Sequence, residues 1–207
     1  MLELRDFSCE RDNRLLFAGL HASFAAGEIW HIEGPNGVGK TSLLRQLTGI
    51  SREFGGELLW QGRPIGECRY DFACALLYIG HQPGIKTALT ARENLMAYCP
   101  ESTSAQIEQA LTDIGLYGFE DVGCYRLSAG QLRRVALARL ALSTQPLWIL
   151  DEPFTALDTQ AVAALEQRFV AHAAAGGCVI ITTHQKPSID ALKVLALGDY
   201  QPEVRFV

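Results

Sequence analysis

Ile29-Trp-His-Ile-Glu33-Gly34-Pro-Asn-Gly-Val-Gly39-Lys40-Thr41-Ser-Leu-Leu-Arg-Gln-Leu-Thr48 is the stretch that decides how this chain folds. It reads as a buried-type strand, a loop of the form G-x-x-x-x-G-K-[ST], and a helix. The loop comprises Gly34, Pro35, Asn36, Gly37, Val38 and Gly39. Its glycines let the backbone curl so that successive N–H groups point inward at phosphate oxygens. The helix that leaves the loop turns its positive N-terminal end toward the same anion. Lys40 is placed to reach the β- and γ-phosphates of a nucleoside triphosphate, and the Thr41 hydroxyl to sit on Mg²⁺. A chance glycine-rich turn is the competing reading. It fails because the motif has its required context, strand before and helix after.

Outward from this stretch the chain alternates. Leu2–Phe7 and Leu15–Phe24 read as antiparallel strands around a turn at Arg11-Asp-Asn13. Beyond the helix, Gly55-Gly56 reads as a break, Glu57–Trp60 as a strand, and Leu76–Ile79 as a buried strand. From about residue 85 the apolar spacing becomes helical, over Leu89–Tyr98, over Ser104–Ile114 and from Ser128 to about Leu142. Strand and helix alternate again through Leu147–Leu150, Thr159–Ala173 and Cys178–Thr183, with a last short strand at Val194–Leu197. Such alternation implies a parallel sheet with helices on it, and the middle helices form an inserted lobe.

The bulk composition excludes several classes. With 48% hydrophobic and 20% charged residues the chain is ordinary globular material, long enough at 207 residues for a sizeable core. A net charge of −5 argues against a nucleic-acid or anionic-lipid surface. Apolar runs such as Ala73–Ile79 fall far short of the roughly 20 residues of a membrane span. Met1–Asp6 reads as a strand rather than a signal peptide, so a cytosolic chain is expected unless a partner holds it at a membrane. The 6 cysteines stand at Cys9, Cys68, Cys74, Cys99, Cys124 and Cys178 without a C-x-x-C pair, which argues for free thiols in a reducing compartment. Cys99-Pro100 resembles Cys-Pro pairs that ligate haem, but a loop or helix-end cysteine is the simpler reading.

Two further motifs fit a triphosphate site. Leu147-Trp-Ile-Leu-Asp151-Glu152 is an apolar strand ending in adjacent carboxylates. At the C-terminal end of a parallel strand such residues face the ligand crevice, on alternate sides. Asp151 suits the Mg²⁺ shell, directly or through water, and Glu152 suits a base that polarises the water attacking the γ-phosphate. In Leu127-Ser128-Ala129-Gly130-Gln131, Ser128 and Gln131 have the spacing of a capping box at a helix start. Taken alone, this is equally a well-capped helix or a second anion-binding helix end.

In order along the chain, Gly34–Thr41, Gln82, Leu127–Gln131, Leu147–Glu152, Ala156-Leu157-Asp158 and His184 resemble the ATP-binding-cassette (ABC) ATPases, over essentially the whole length. The resemblance implies an α/β P-loop NTPase cassette: a RecA-like core with an antiparallel β edge and an inserted helical subdomain. It implies one domain, 1–207, with 1–84 and 143–207 as core and 85–142 as helical subdomain. It also implies a homodimer packed head to tail around two ATP molecules. Gly37, Gly39 and Lys40 would cradle the β- and γ-phosphates, and Ser42 would touch the α-phosphate. Mg²⁺ would be held by Thr41, Gln82 and Asp151. Glu152 resembles the catalytic base, Gln82 the glutamine that senses Mg²⁺, and His184 the histidine that bonds the γ-phosphate. Ser128, Ala129, Gly130 and Gln131 would face the ATP of the other subunit, and Asp158 would communicate across the dimer. The signature carries Ala129 where the family usually has glycine. Where relatives stack the adenine on an aromatic residue, this chain has Arg11, with Phe17 as a substitute.

The run Tyr78-Ile-Gly-His-Gln-Pro-Gly-Ile-Lys-Thr-Ala-Leu-Thr-Ala-Arg-Glu-Asn-Leu95, together with Leu127–Arg139, Trp148–Asp158 and the short stretch after His184, resembles the ATPase subunits of cytochrome c maturation systems, the haem exporters. That likeness implies a peripheral protein on the cytoplasmic face of a bacterial inner membrane. Its partners would be CcmB-like and CcmC-like integral membrane subunits and, indirectly, a periplasmic haem chaperone, with no nucleic acid. The residues from Gly80 to Leu95 would form the partner-facing groove, with Ile85 and Leu89 exposed in it. The alternative is the ATPase subunit of another exporter or importer, for a lipid or small metabolite.

Overall fold

Asp12 and Asn13 both adopt left-handed backbone, at φ 52° and 59°. That pair is what a tight two-residue hairpin turn demands and what Asp and Asn tolerate. It joins β1 (Leu2–Arg11) to β2 (Arg14–Phe24), so the first strand runs well past the expected Phe7. The computed structural model from which this is drawn describes residues 1–202. The part of the expected core domain that lies at 203–207 falls outside them.

The antiparallel sheet has the order β2-β1-β4-β5, with β4 (Gly55–Trp60) and β5 (Arg63–Pro64) following the hairpin. Gly55 and Gly56 therefore lie inside a strand and do not break the chain. Gly56 passes so close to β1 that a Cβ there would sit 2.2 Å from the carbonyl oxygen of Asp6, and its φ is 80°. Close approach, not a turn, is what requires glycine.

The second sheet has the order β6-β7-β8-β3-β9. Its strands are β3 (Ile29–Glu33), β6 (Leu76–Ile79), β7 (Leu147–Asp151), β8 (Cys178–Thr182) and β9 (Leu192–Ala196). β7, β8, β3 and β9 pair in parallel. β7 and β8 are buried at every position, as a strand covered on both faces must be. Helix α1 (Lys40–Leu47) follows β3, and its Leu43, Leu44 and Leu47 are fully buried with Phe7, Phe17 and Phe24 of the hairpin in one core. Each such side chain contributes about 1.5–3 kcal/mol by its burial. Helix α2 (Arg69–Ala75) runs directly into β6 and has no counterpart in the sequence reading.

The chain divides into two compact units, each with its own core. The first holds Met1–Tyr78, Gln145–Glu152 and the chain from Leu165 onward; the second holds Ile79–Thr144 with Pro153–Ala164. The second unit contains α3 (Ala91–Tyr98), α4 (Ser104–Asp113) and α5 (Ala129–Leu142), and the first turns of α6 (Thr159–Ala174). Leu95, Ile107, Leu111 and Val135 are its fully buried centre. Each of α3, α4 and α5 closes its own N-terminus with a complete capping box, from Thr90 and Glu93, Thr103 and Gln106, and Ser128 and Gln131. Ile85 and Leu89 are half-buried rather than exposed, and Ile85 packs on this core.

Candidate nucleotide site

Unlike α3, α4 and α5, helix α1 has no side-chain cap: the residue at its N-cap is Gly39, at φ 109°. Its leading N–H groups thus remain available to an outside acceptor, at the positive end of the helix. A Cβ on Gly39 would lie a tight 3.2 Å from Leu16 and Phe17, and the φ of 109° would strain any other residue, so both space and backbone favour glycine here. The Lys40 side chain folds back over the loop and donates to the carbonyls of Gly34 at 2.6 Å and Pro35 at 3.3 Å. Among the described residues no carboxylate forms an ion pair with it. Its charge is held by neutral acceptors at the centre of the loop, where an anion meets it uncompensated.

Thr41 is exposed and Ser42 half-buried at the first turn of α1. Both line a cavity of about 200 Å³ that Arg11, Arg45 and Ser51 also bound. Arg11 is exposed, its guanidinium 3.4 Å from the carboxylate of its neighbour Asp12. Phe17 is completely buried against Gly39 and has no face to offer a base, which removes it as an adenine platform.

The ends of β7 and β8 build the second half. Their register sets Asp151 opposite Thr182. The fully buried Thr182 hydroxyl donates to Asp151 Oδ1 at 2.6 Å and accepts from the backbone N–H of Glu152 at 3.1 Å. That N–H also donates to the Thr182 carbonyl. Glu152 has left-handed backbone, φ 53°, a conformation that costs a non-glycine residue about 1–3 kcal/mol and persists where neighbours enforce it. The enforced turn sends the Glu152 carboxylate toward His184. The backbone N–H of His184 donates to Glu152 Oε2 at 3.2 Å, and His184 Nε2 lies 3.4 Å from Oε1. One residue earlier, the carbonyl of Thr183 is 3.1 Å from Nε2 of the buried His31 on β3. A cavity of about 760 Å³ has Gly34 and Pro35 in one wall and Thr183 and His184 in another, so loop and imidazole border one space. Sequence reading missed Thr182. Its only signal is a hydroxyl in an otherwise apolar strand, Cys178-Val-Ile-Ile-Thr182.

The remaining residues singled out in the sequence belong to the helical unit. The Ser128 hydroxyl accepts from Gln131 N–H at 3.2 Å, while Gln131 Oε1 accepts from Ser128 N–H at 2.9 Å. Gln131 is thus committed to the cap, whereas Ser128 and Ala129 are exposed. Gly130 faces Ala156, where a Cβ would meet the Ala156 methyl at an ordinary 3.5 Å. Asp158 accepts from Ala161 N–H at 2.9 Å and from Arg134 at 3.2 Å. The backbone N–H of Ala161, followed by the charge of Arg134, holds its carboxyl below the usual range. Gln82 is exposed, and its side chain makes no hydrogen bond with any described residue. Cys99, of the Cys-Pro pair, is the C-cap of α3.

Comparison with known proteins places these features in a lineage. The family described as ABC transporter matches residues 17–155. The chain is 56% identical over 199 residues to the cytochrome c biogenesis ATP-binding export protein CcmA 2 of Salmonella paratyphi A, covering 95% of this chain and 97% of that one. It is 55% identical over 194 residues to the CcmA of Escherichia coli O157:H7, covering 94% of each. A bifunctional cytochrome c-type biogenesis protein, CcmAE, of Salmonella choleraesuis is 56% identical over 199 residues that make up 59% of its length. Among solved structures, an ATP-binding protein of the ABC transporter type from Pyrococcus furiosus superposes with a TM-score of 0.81 at 23% identity, over 97% of this chain and 99% of that one.

Proposed function

This chain belongs to the ABC transporter family, and we propose that it is the ATP-hydrolysing subunit of a membrane exporter that serves haem delivery in cytochrome c biogenesis. The observation that carries the chemistry is the Glu152 carboxylate fixed against His184, bordering the same edge of the sheet as the phosphate loop and Lys40. The β- and γ-phosphates displace the loop carbonyls from Lys40 and take the open N–H groups of α1. Ser42 meets the α-phosphate, and Arg11 lies over the base. Glu152 accepts a proton from the attacking water as it adds to the γ-phosphorus and the bond from that phosphorus to the β–γ bridging oxygen breaks, ADP leaving, while His184 donates to a γ-phosphate oxygen. Positioned groups of this kind are each worth about 10²–10³ in rate.

Thr41 and Asp151 offer hard oxygen donors at the loop end of the core, a set that suits Mg²⁺, and the Gln82 amide oxygen would complete it. The Thr182 hydroxyl fits this role, since its bond to Oδ1 orients the Asp151 carboxylate. When bound, the ion neutralises charge on the β- and γ-phosphates.

Residues 1–84 and 143–207 act as the core and 85–142 as the helical arm of one cassette. Two cassettes close on two ATP molecules, Ser128 and Gly130 of each touching the γ-phosphate held by the other, with Asp158 beside them. Loss of the γ-phosphate removes the Ser128 and His184 contacts and lets the pair open. No helix among the described residues is long and apolar enough to cross a membrane; in this reading CcmB-like and CcmC-like subunits supply the span. The chain then sits on the cytoplasmic face of the inner membrane. The named CcmAE relative supports a functional link to a haem chaperone of the CcmE kind, since there a cassette like this one is part of a longer bifunctional protein.

The test is recovery of Glu152→Gln protein, loaded with Mg-ATP, from detergent-solubilised native membranes, with mass spectrometry of what accompanies it. Cytochrome c maturation membrane subunits are expected. A different permease in their place would overturn the pathway and leave the ATPase chemistry intact.

A further inference from the structure

Gln82 stands in an irregular segment, residues 80–89, between β6 and α3. Its backbone is not held by a regular ladder. Two carbonyls that bracket Gln82 symmetrically, those of Gly80 and Gly84, are held by side chains instead. Arg133 of α5, only 6% exposed, donates from Nη1 to the Gly80 carbonyl at 2.6 Å. The Tyr98 hydroxyl, at the end of α3, donates to the Gly84 carbonyl at 2.6 Å. The Tyr98 ring is in turn covered by the Arg139 guanidinium, 3.8 Å from its centroid. Arg133 and Arg139 both belong to α5, the helix whose first residue follows Ser128. One helix therefore begins at the signature serine and clamps the backbone on both sides of Gln82.

From this arrangement we infer that Arg133 and Tyr98 are positioning residues for Gln82. A charge-assisted bond from a buried guanidinium to a carbonyl is short, directional and costly to break. It fixes the Gly80 peptide and hence the direction in which the chain leaves for Gln82. An ordinary core arginine would stabilise the unit without favouring any one ligand. A positioning arginine sets how well Gln82 meets Mg²⁺. The inference rests on the reading of Gln82 as a Mg²⁺ ligand.

The experiment is a Mg²⁺ titration of the full-length chain, in the Glu152→Gln background, saturated with a fluorescent ATP analogue. Binding is read without turnover, beside nucleotide affinity in excess EDTA and thermal melting. Arg133→Met and Tyr98→Phe are expected to weaken Mg²⁺ about tenfold, the scale of an outer-shell loss, with metal-free nucleotide affinity unchanged. Arg133→Lys should restore most of the affinity. Tyr98→Phe removes one hydroxyl and keeps the ring under Arg139, so it tests the inference even if Arg133→Met fails to fold. Gln82→Ala is run in parallel. If it weakens Mg²⁺ while Tyr98→Phe and any folded Arg133 variant do not, the positioning inference falls and the role of Gln82 stands. If Gln82→Ala leaves Mg²⁺ affinity unchanged, the role of Gln82 falls and takes this inference with it.

Discussion

Thr182 holds three groups with one hydroxyl and one carbonyl: Asp151 Oδ1, the Glu152 N–H, and through that N–H the left-handed turn that aims the Glu152 carboxylate at His184. Thr182→Val keeps the shape and the β-branching but deletes the hydroxyl, so Asp151 loses its orienting donor while the Glu152 N–H keeps the carbonyl. The expected result is a fall of about tenfold in kcat with little change in the affinity for metal-free nucleotide, since a buried hydrogen bond to a charged group is worth about 1.5–3 kcal/mol. Steady-state turnover beside equilibrium nucleotide binding separates the two. At this scale the phosphate loop is legible from sequence because its chemistry is local: six loop residues, a lysine and a threonine answer one ligand. Thr182 is not legible, because its partner Asp151 lies 31 residues away and only strand register brings them together. Phe17 is the converse case. Its type suited an adenine platform, but its position under Gly39 in the core decides otherwise.

The helices sort by how they finish their N-termini. Sequence reading finds α3 and α4 by their apolar spacing and α5 also by its Ser128–Gln131 capping box; all three carry a complete box, and the contrast with α1 marks the helix end without a side-chain cap. Helix α2 escapes for the opposite reason. It has seven residues, no side-chain cap, and passes at Leu76 straight into β6 without a glycine or proline to mark the change. The helical unit is also tied by charge. Arg92 of α3 binds Asp121 at 2.8 Å and Glu108 of α4 at 3.0 Å, which clamps the loop after α4 to both helices. The hydrogen bond from Arg92 lowers the Asp121 carboxyl below its ordinary value. A carboxyl with a depressed folded-state pKa contributes stability above its unfolded value, about 3.9, and loses it as pH falls through the lower folded value. Arg92→Met should therefore lose stability most above pH 5, where the contribution is complete, and begin acid unfolding at a higher pH than the native chain, both followed by helical circular dichroism, in denaturant and in acid. An acid transition unchanged by the substitution would mean that this exposed cluster adds nothing to the unit.

At the scale of the whole molecule, the proposed pairing of two cassettes has to overcome their charge. Each carries a net charge of −5, so two approaching cassettes repel, and ATP adds further negative charge. The proposed pairing would then depend on ligand contacts that reach across, and Ser128 is suited to make them: it is exposed at a helix N-terminus, with a hydroxyl engaged only in capping among the described residues. Glu152→Gln keeps the backbone N–H bonds with His184 and Thr182 but removes the carboxylate proposed as the base, so bound ATP is expected to persist. Light scattering of this variant with Mg-ATP is expected to give twice the 22.7 kDa chain mass, and with Mg-ADP the single-chain mass. Adding Lys40→Ala should abolish the doubling, because the phosphates lose their central cation. Adding Ser128→Ala should weaken it while leaving nucleotide affinity of the single chain unaltered. Moderate salt should favour the pair by screening like charges, the reverse of what a salt-bridged interface would give. Doubling that persists in Lys40→Ala, or that needs no nucleotide, would place the cohesion elsewhere on the surface and remove the γ-phosphate as the link between turnover and opening.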